Sequence, residues 1–81
     1  MSTDNLVVMV NRIGEFFEVM PDKEEGELGV VTHIRKFWEP RMRQALKNHM
    51  EQANGEGIKP FVLHALKAHE SQWIRIADGT L

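Results

Sequence analysis

The stretch His33-Ile34-Arg35-Lys36-Phe37-Trp38-Glu39-Pro40-Arg41-Met42-Arg43 decides how this chain folds. It sets a proline between two amphipathic patterns and holds one of the chain's two tryptophans. A residue that precedes proline is steered away from the α region, so Glu39 closes the helix before it. Pro40 lacks an N–H and has a preset φ, which suits the first position of a new helix. The stretch predicts a helix ending near Trp38, a sharp corner, and a second helix opening at Pro40. Phe37 and Trp38 are expected to face inward there. Arg35, Lys36, Arg41 and Arg43, four of the ten Lys/Arg residues, gather around the corner, with Lys47 one turn further on.

Working outward, the helix before the corner begins after Pro21. Asp22 and Glu25 have the spacing of a capping box, with Asp in the Ser/Thr position. Acids in a first turn also complement the helix dipole. This helix is expected over residues 23–38, with Val30, Val31, Ile34, Phe37 and Trp38 on one face. Gly26 and Gly29 are compatible with a packing seam, a break, or neither; packing is the favoured reading. Upstream, Leu6, Met9, Val10, Ile13, Phe17 and Met20 follow helical spacing and predict a helix over residues 4–20, capped by Thr3, Asp4 or Asn5. Val8, Phe16 and Val19 are surplus to its main face: either scattered surface side chains or a second contact surface, such as that of a homodimer. Downstream, Met42, Ala45, Leu46, His49, Met50 and Ala53 form the stripe of a helix over 40–53. Asn54-Gly55-Glu56-Gly57 stops it, because Asn and Gly accept left-handed backbone. Pro60 opens a fourth helix over 60–70, with Phe61, Val62, Ala65, Leu66 and His69 in line. Residues 71–81 read as a tail, in which Trp73-Ile74-Arg75-Ile76 is a helix end, a short extended segment or an ordered tail segment.

The result is one all-α domain over residues 1–81, a small bundle of about four helices. Short connections predict roughly antiparallel neighbours. Eighty-one residues make a thin core, since a chain of this size buries only ~60–65% of its unfolded surface. No cysteine is present, so neither a disulfide nor a cysteine zinc site supports it, and a reducing compartment fits. Ten basic against twelve acidic residues give a net charge of −2, which argues against whole-chain attraction to nucleic acid or an anionic membrane. The start lacks a basic n-region, and Leu6 to Val10 is far too short to span a bilayer. A soluble cytoplasmic protein is the expectation.

Candidate chemistry is sparse. His64 and His69 are five apart and diverge on one helix, whereas paired ligands need a spacing of three or four. His49 lies on an apolar stripe and reads as a hydrogen-bonded boundary histidine. His69-Glu70-Ser71 is contiguous, which does not make a triad. Gly55-Glu56-Gly57 lacks the strand and the Lys-Ser/Thr of a phosphate loop. Glu24 and Glu25 read as solvated helix-start acids. No catalytic, cofactor-binding or metal site is therefore expected of this chain. The basic corner is either an ordinary solvated face, with four-apart pairs such as Glu39 and Arg43, or a docking surface. Trp and Arg are enriched at interface hot spots, and an arginine fork grips carboxylate or phosphate with two prongs. The candidate partner-binding residues are Arg35, Lys36, Phe37, Trp38, Arg41 and Arg43.

Met9-Val10-Asn11-Arg12-Ile13-Gly14-Glu15-Phe16-Phe17-Glu18, then Met20-Pro21-Asp22, then the corner stretch itself, resemble the delta subunit of soluble NAD-dependent formate dehydrogenases. The resemblance covers roughly residues 6–53, less distinctly the Lys59-Pro60 helix, and not the last dozen residues. It implies a noncatalytic accessory subunit that binds the molybdenum-containing catalytic alpha subunit and supports its assembly, stability or cofactor loading. It also implies that other subunits carry bis-molybdopterin guanine dinucleotide, iron–sulfur clusters, flavin and the NAD site, this chain holding none of them. A stronger form sets the corner arginines on the cofactor's phosphates during loading. The alternative is a free-standing regulatory module that binds protein or nucleic acid through the same basic corner.

Overall fold

In a computed structural model, which describes residues 2–74, the caps and prolines place the helices much as expected. Helix α1 spans Thr3–Glu18, α2 Lys23–Phe37, α3 Pro40–Ala53, α4 Pro60–Ala68 and α5 Glu70–Ile74. Ser2, rather than Thr3, Asp4 or Asn5, caps α1: its hydroxyl oxygen accepts the Asn5 N–H at 3.3 Å. One oxygen of Asp22 accepts the N–H groups of Glu24 and Glu25 at 3.0 and 3.2 Å, the donors that the start of α2 leaves unpaired. Pro40 and Pro60 each open a helix. Asn54 (φ 56°) and Gly55 (φ 70°) close α3 with left-handed backbone. Asn11 clamps the loop that follows: its amide donates to the Gly57 carbonyl at 2.9 Å, and its side-chain oxygen accepts the Lys59 N–H at 2.9 Å.

Helix α2 is the hub. It packs against α1, α4 and α5, while α3 packs on α1 and α5. Of the four helices expected from the sequence, only α1 and α2 are packed sequence neighbours; the added α5 also packs on α4. Helices α2 and α3 are joined by just two residues, Trp38 and Glu39, both with extended backbone; the elbow turns α3 away, and the two do not pack along each other. Three glycines bring backbones together around α1 and α2. A side chain at Gly14 would collide with Val62, and one at Gly29 with the Phe17 ring; a Cβ at Gly26 would lie 2.6 Å from the Phe17 carbonyl oxygen. Packing is thus the role of Gly26 and Gly29.

The body measures 35 × 28 × 18 Å; helices pack at ~8–10 Å, so its thin direction holds only two layers. Leu6, Val10, Val30, Val31, Ile34, Leu46, Val62, Leu66 and Trp73 are fully buried between them. Trp73 is the main departure from the expected fold. Residues 70–74 form a fifth helix, not a tail, and the Trp73 indole N–H donates to the Leu66 carbonyl at 2.9 Å inside the core. The other residues expected in the tail, 75–81, lie outside the described residues. Met9 also departs: it is 40% exposed rather than on the buried face of α1. Val8, Phe16 and Val19 are all exposed.

Candidate docking site

The elbow separates the residues that the sequence grouped together. Trp38 is buried in the core, so its indole supports the corner from within and is not presented to a partner. Phe37 does the reverse of what its spacing suggested: it is 69% exposed, with its ring 4.8 Å from that of His33. Arg35 and Lys36 in the last turn of α2, and Arg41 in the first turn of α3, are exposed. None of the three forms an ion pair with a described residue. Arg43 is half-buried, and its Nε has no hydrogen-bond partner among the described residues. Lys47, the next cation along, is spent on the fold. It pairs with Glu51 at 3.2 Å and with Glu70, tying α3 to α5. The hydrogen bond to Glu70, and after it that to Glu51, holds the Lys47 ammonium above its ordinary pKa.

Two helix ends meet at the elbow, and their dipoles ask for opposite charges. The C-terminus of α2 favours Arg35 and Lys36. The N-terminus of α3 favours anions, yet its first turn carries no acid and Arg41 sits there. Glu39 is the one carboxylate in the elbow, and its side chain makes no cap hydrogen bond. Positive charge therefore accumulates at a surface with little to balance it. The opposite end of α2 is acidic, with Glu24 and Glu25 in its first turn.

A second cluster was missed by sequence reasoning. Glu27 is 4% exposed. One of its oxygens lies 2.6 Å from His64 Nδ1, and the other lies 3.5 Å from His69 Nε2, which makes no hydrogen bond. The two histidines diverge on an unbroken helix, but the chain breaks at His69 (φ −120°, ψ 35°), and the break turns both toward one carboxylate. The available signal was the position of Glu27, three and four residues before Val30 and Val31 on the buried stripe of α2. Among the described residues no group of three or more His, Asp or Glu side chains is arranged to hold a metal ion. His49 Nε2 meets the Glu56 carbonyl oxygen at 2.7 Å, the boundary role its stripe suggested. No helix of the described residues is long and apolar enough to cross a membrane.

No solved structure matches the chain. A curated relative, the phosphoribosylaminoimidazole-succinocarboxamide synthase of Methylococcus capsulatus, is 29% identical over 55 residues, covering 68% of this chain but 18% of that protein. The chain thus spans about a fifth of that relative's length. Residues 5–66, from the first turn of α1 into α4, match the family described as NADH-dependent formate dehydrogenase delta subunit FdsD. With the Asn11 clamp, the glycine seam and the elbow all inside the matched stretch, the chain belongs to the formate dehydrogenase delta subunit family.

Proposed function

We propose that this delta subunit is a noncatalytic, cytoplasmic accessory chain that binds the catalytic alpha subunit of its formate dehydrogenase and supports its assembly, stability or cofactor loading. The molybdenum, iron–sulfur, flavin and NAD sites of that complex lie, in this reading, on other subunits. The observation that carries it is the elbow: Arg35, Lys36 and Arg41 are exposed with no ion-pair partner among the described residues, beside an exposed Phe37. An exposed apolar ring flanked by unpaired cations is a surface made for a carboxylate-bearing protein patch. Arginine forks pair with carboxylates in two-pronged fashion, and the ring supplies apolar area that water does not reward.

The test is co-purification with a tagged alpha subunit. Arg35→Glu and Arg41→Glu change exposed side chains that make no ion pair with a described residue, so the fold should survive them. A hydrogen bond to a charged group contributes ~1.5–3 kcal/mol, so losing two weakens binding by about 100-fold or more. The captured delta chain and the molybdenum content of the alpha subunit should both fall. Undiminished co-purification together with full metal content would remove the elbow from the interface.

A further inference from the structure

We propose that the outward face of α2 is a groove that seats an amphipathic helix of the catalytic subunit, with an acidic residue of that helix beside Lys36. The inference rests on the reading that this chain binds that subunit, and it names the surface and the form of what is bound. The groove has a volume of about 380 Å³ and runs from Phe17 and Leu28 past Gly29 and Thr32 to Lys36 and Phe37. Gly29 makes it possible. The Phe17 ring lies where a side chain at 29 would stand, so it beds against α2 and forms an aromatic wall of the groove. Phe16, 71% exposed, meets Phe17 edge to face at 4.9 Å and extends that wall outward. Phe37 closes the far end.

The dimensions suit a helix. Phe37 lies eight residues beyond Gly29, about 12 Å along the α2 axis at ~1.5 Å per residue. Two apolar side chains spaced i, i+7 on a partner helix stand ~10.5 Å apart, enough to pack on the Phe17 ring beside Gly29 and reach Phe37 together. Such spaced anchors are how helices are read in grooves. The trough is open along its length, so it would not enclose a small molecule to the extent such ligands require. Lys36 lines it and has no ion pair with a described residue, which fixes the sign of the charge it awaits.

A second copy of this chain covers the face poorly: the residues that line the groove include no acid, so pairing groove to groove would leave Lys36 without a carboxylate.

The experiment uses the full chain, co-expressed with the formate dehydrogenase subunits and carrying a photo-crosslinking benzoyl side chain in place of Thr32. The expected product is a crosslink to one segment of the alpha subunit that has apolar residues at i, i+3 or i+4 and i+7 and an acid within one turn of them. In parallel, Phe37→Ser and Thr32→Glu should each lower the captured alpha subunit tenfold or more while the circular dichroism spectrum stays helical. A crosslink to a second copy of this chain, to a segment without that pattern, or to nothing overturns the groove. So does undiminished capture by both variants. If the unaltered chain does not co-purify with the alpha subunit at all, the functional reading itself fails. If it does, and Arg35→Glu with Arg41→Glu disrupts it while Phe37→Ser and Thr32→Glu do not, only the groove fails.

Discussion

Replacing Trp73 tests whether the last described helix belongs to the folded unit. Helix α5 has five residues, too few to form by itself, because nucleating a helix is unfavourable and short helices are marginal in water. It is held by three things: the fully buried Trp73 ring, the indole N–H on the Leu66 carbonyl at 2.9 Å, and the Glu70 pair with Lys47. Truncating a buried Trp to Ala costs ~3–5 kcal/mol. A domain of this length has a total stability of roughly 4–12 kcal/mol at ~0.05–0.15 kcal/mol per residue. Trp73→Ala therefore removes between about a quarter and all of it. With a urea m-value of ~1 kcal/mol/M for a small domain, the midpoint falls by about 3–5 M, or the chain is unfolded without denaturant. Trp73→Phe keeps an aromatic ring but strands the Leu66 carbonyl, a smaller loss of ~1–3 kcal/mol. Trp38, the other tryptophan, is 5% exposed and reports unfolding in both variants through the red shift of its emission. A loss below about 1 kcal/mol in Trp73→Ala would refute the reasoning and leave α5 an appendage. The family match ends at residue 66, so this is a prediction about the fold alone.

Gly14→Ala gains up to ~1 kcal/mol of helix propensity but drives a methyl group into Val62, an overpacking cost of ~1–3 kcal/mol; urea denaturation should show net destabilisation, relieved in the double variant with Val62→Ala. Glu27→Gln keeps shape and hydrogen-bonding capacity and should stay within about 1 kcal/mol of the native chain, whereas Glu27→Lys buries a cation between two histidines and should cost more than ~3 kcal/mol; near-equal midpoints for the two would contradict the buried geometry. The Lys47 pKa lies above the ordinary 10.5 because Glu70 and then Glu51 accept hydrogen bonds from its ammonium. The stability it supplies is accordingly complete below pH 10.5 and drains away as pH rises through the folded-state value. Lys47→Met should abolish that alkaline decline in stability–pH curves.

Local chemistry announces itself in a sequence because it involves neighbours. The Asp22 cap, the two proline starts and the Asn54-Gly55 stop each depend on residues within one turn, and each appears where expected. Phe37 is different. On α2 it lies only about 20° around the axis from Val30 at ~100° per residue, so periodicity places both on one face. Whether that face is covered at the last turn depends on where α3 goes, and the elbow sends it away. Glu27 and its two histidines depend likewise on a break at His69 that no cap or proline marks. Trp73 sits where the patterns run out, and only the third dimension shows that the space between α2, α3 and α4 needs a large ring. Of the candidate site, the cations Arg35, Lys36 and Arg41 were legible as solvent-facing charges. The outward turn of Phe37, beside a Trp38 that is buried as expected, was not.

A chain with so little core has reason to use every large apolar side chain it owns. Burying a Val or Phe contributes ~1.5–3 kcal/mol each, comparable with a sizeable fraction of the stability such a domain commands. Yet Phe16, Val19 and Phe37 are 71, 81 and 69% exposed, while the core is completed by Trp73 from a short fifth helix. Scattered single apolar residues on a surface need no explanation. The two phenylalanines do not scatter: Phe16 leans on Phe17, Phe17 lies over Gly29, and Phe17 and Gly29 line the groove that ends at Phe37 and Lys36. The inner side of α2 is consumed by its contacts with α1, α4 and α5. Its outer side joins an aromatic trough to a cationic elbow, so the element that holds the fold together is also the one with an unused face. Apolar area left unburied in a subunit this small is stabilising only when another polypeptide covers it.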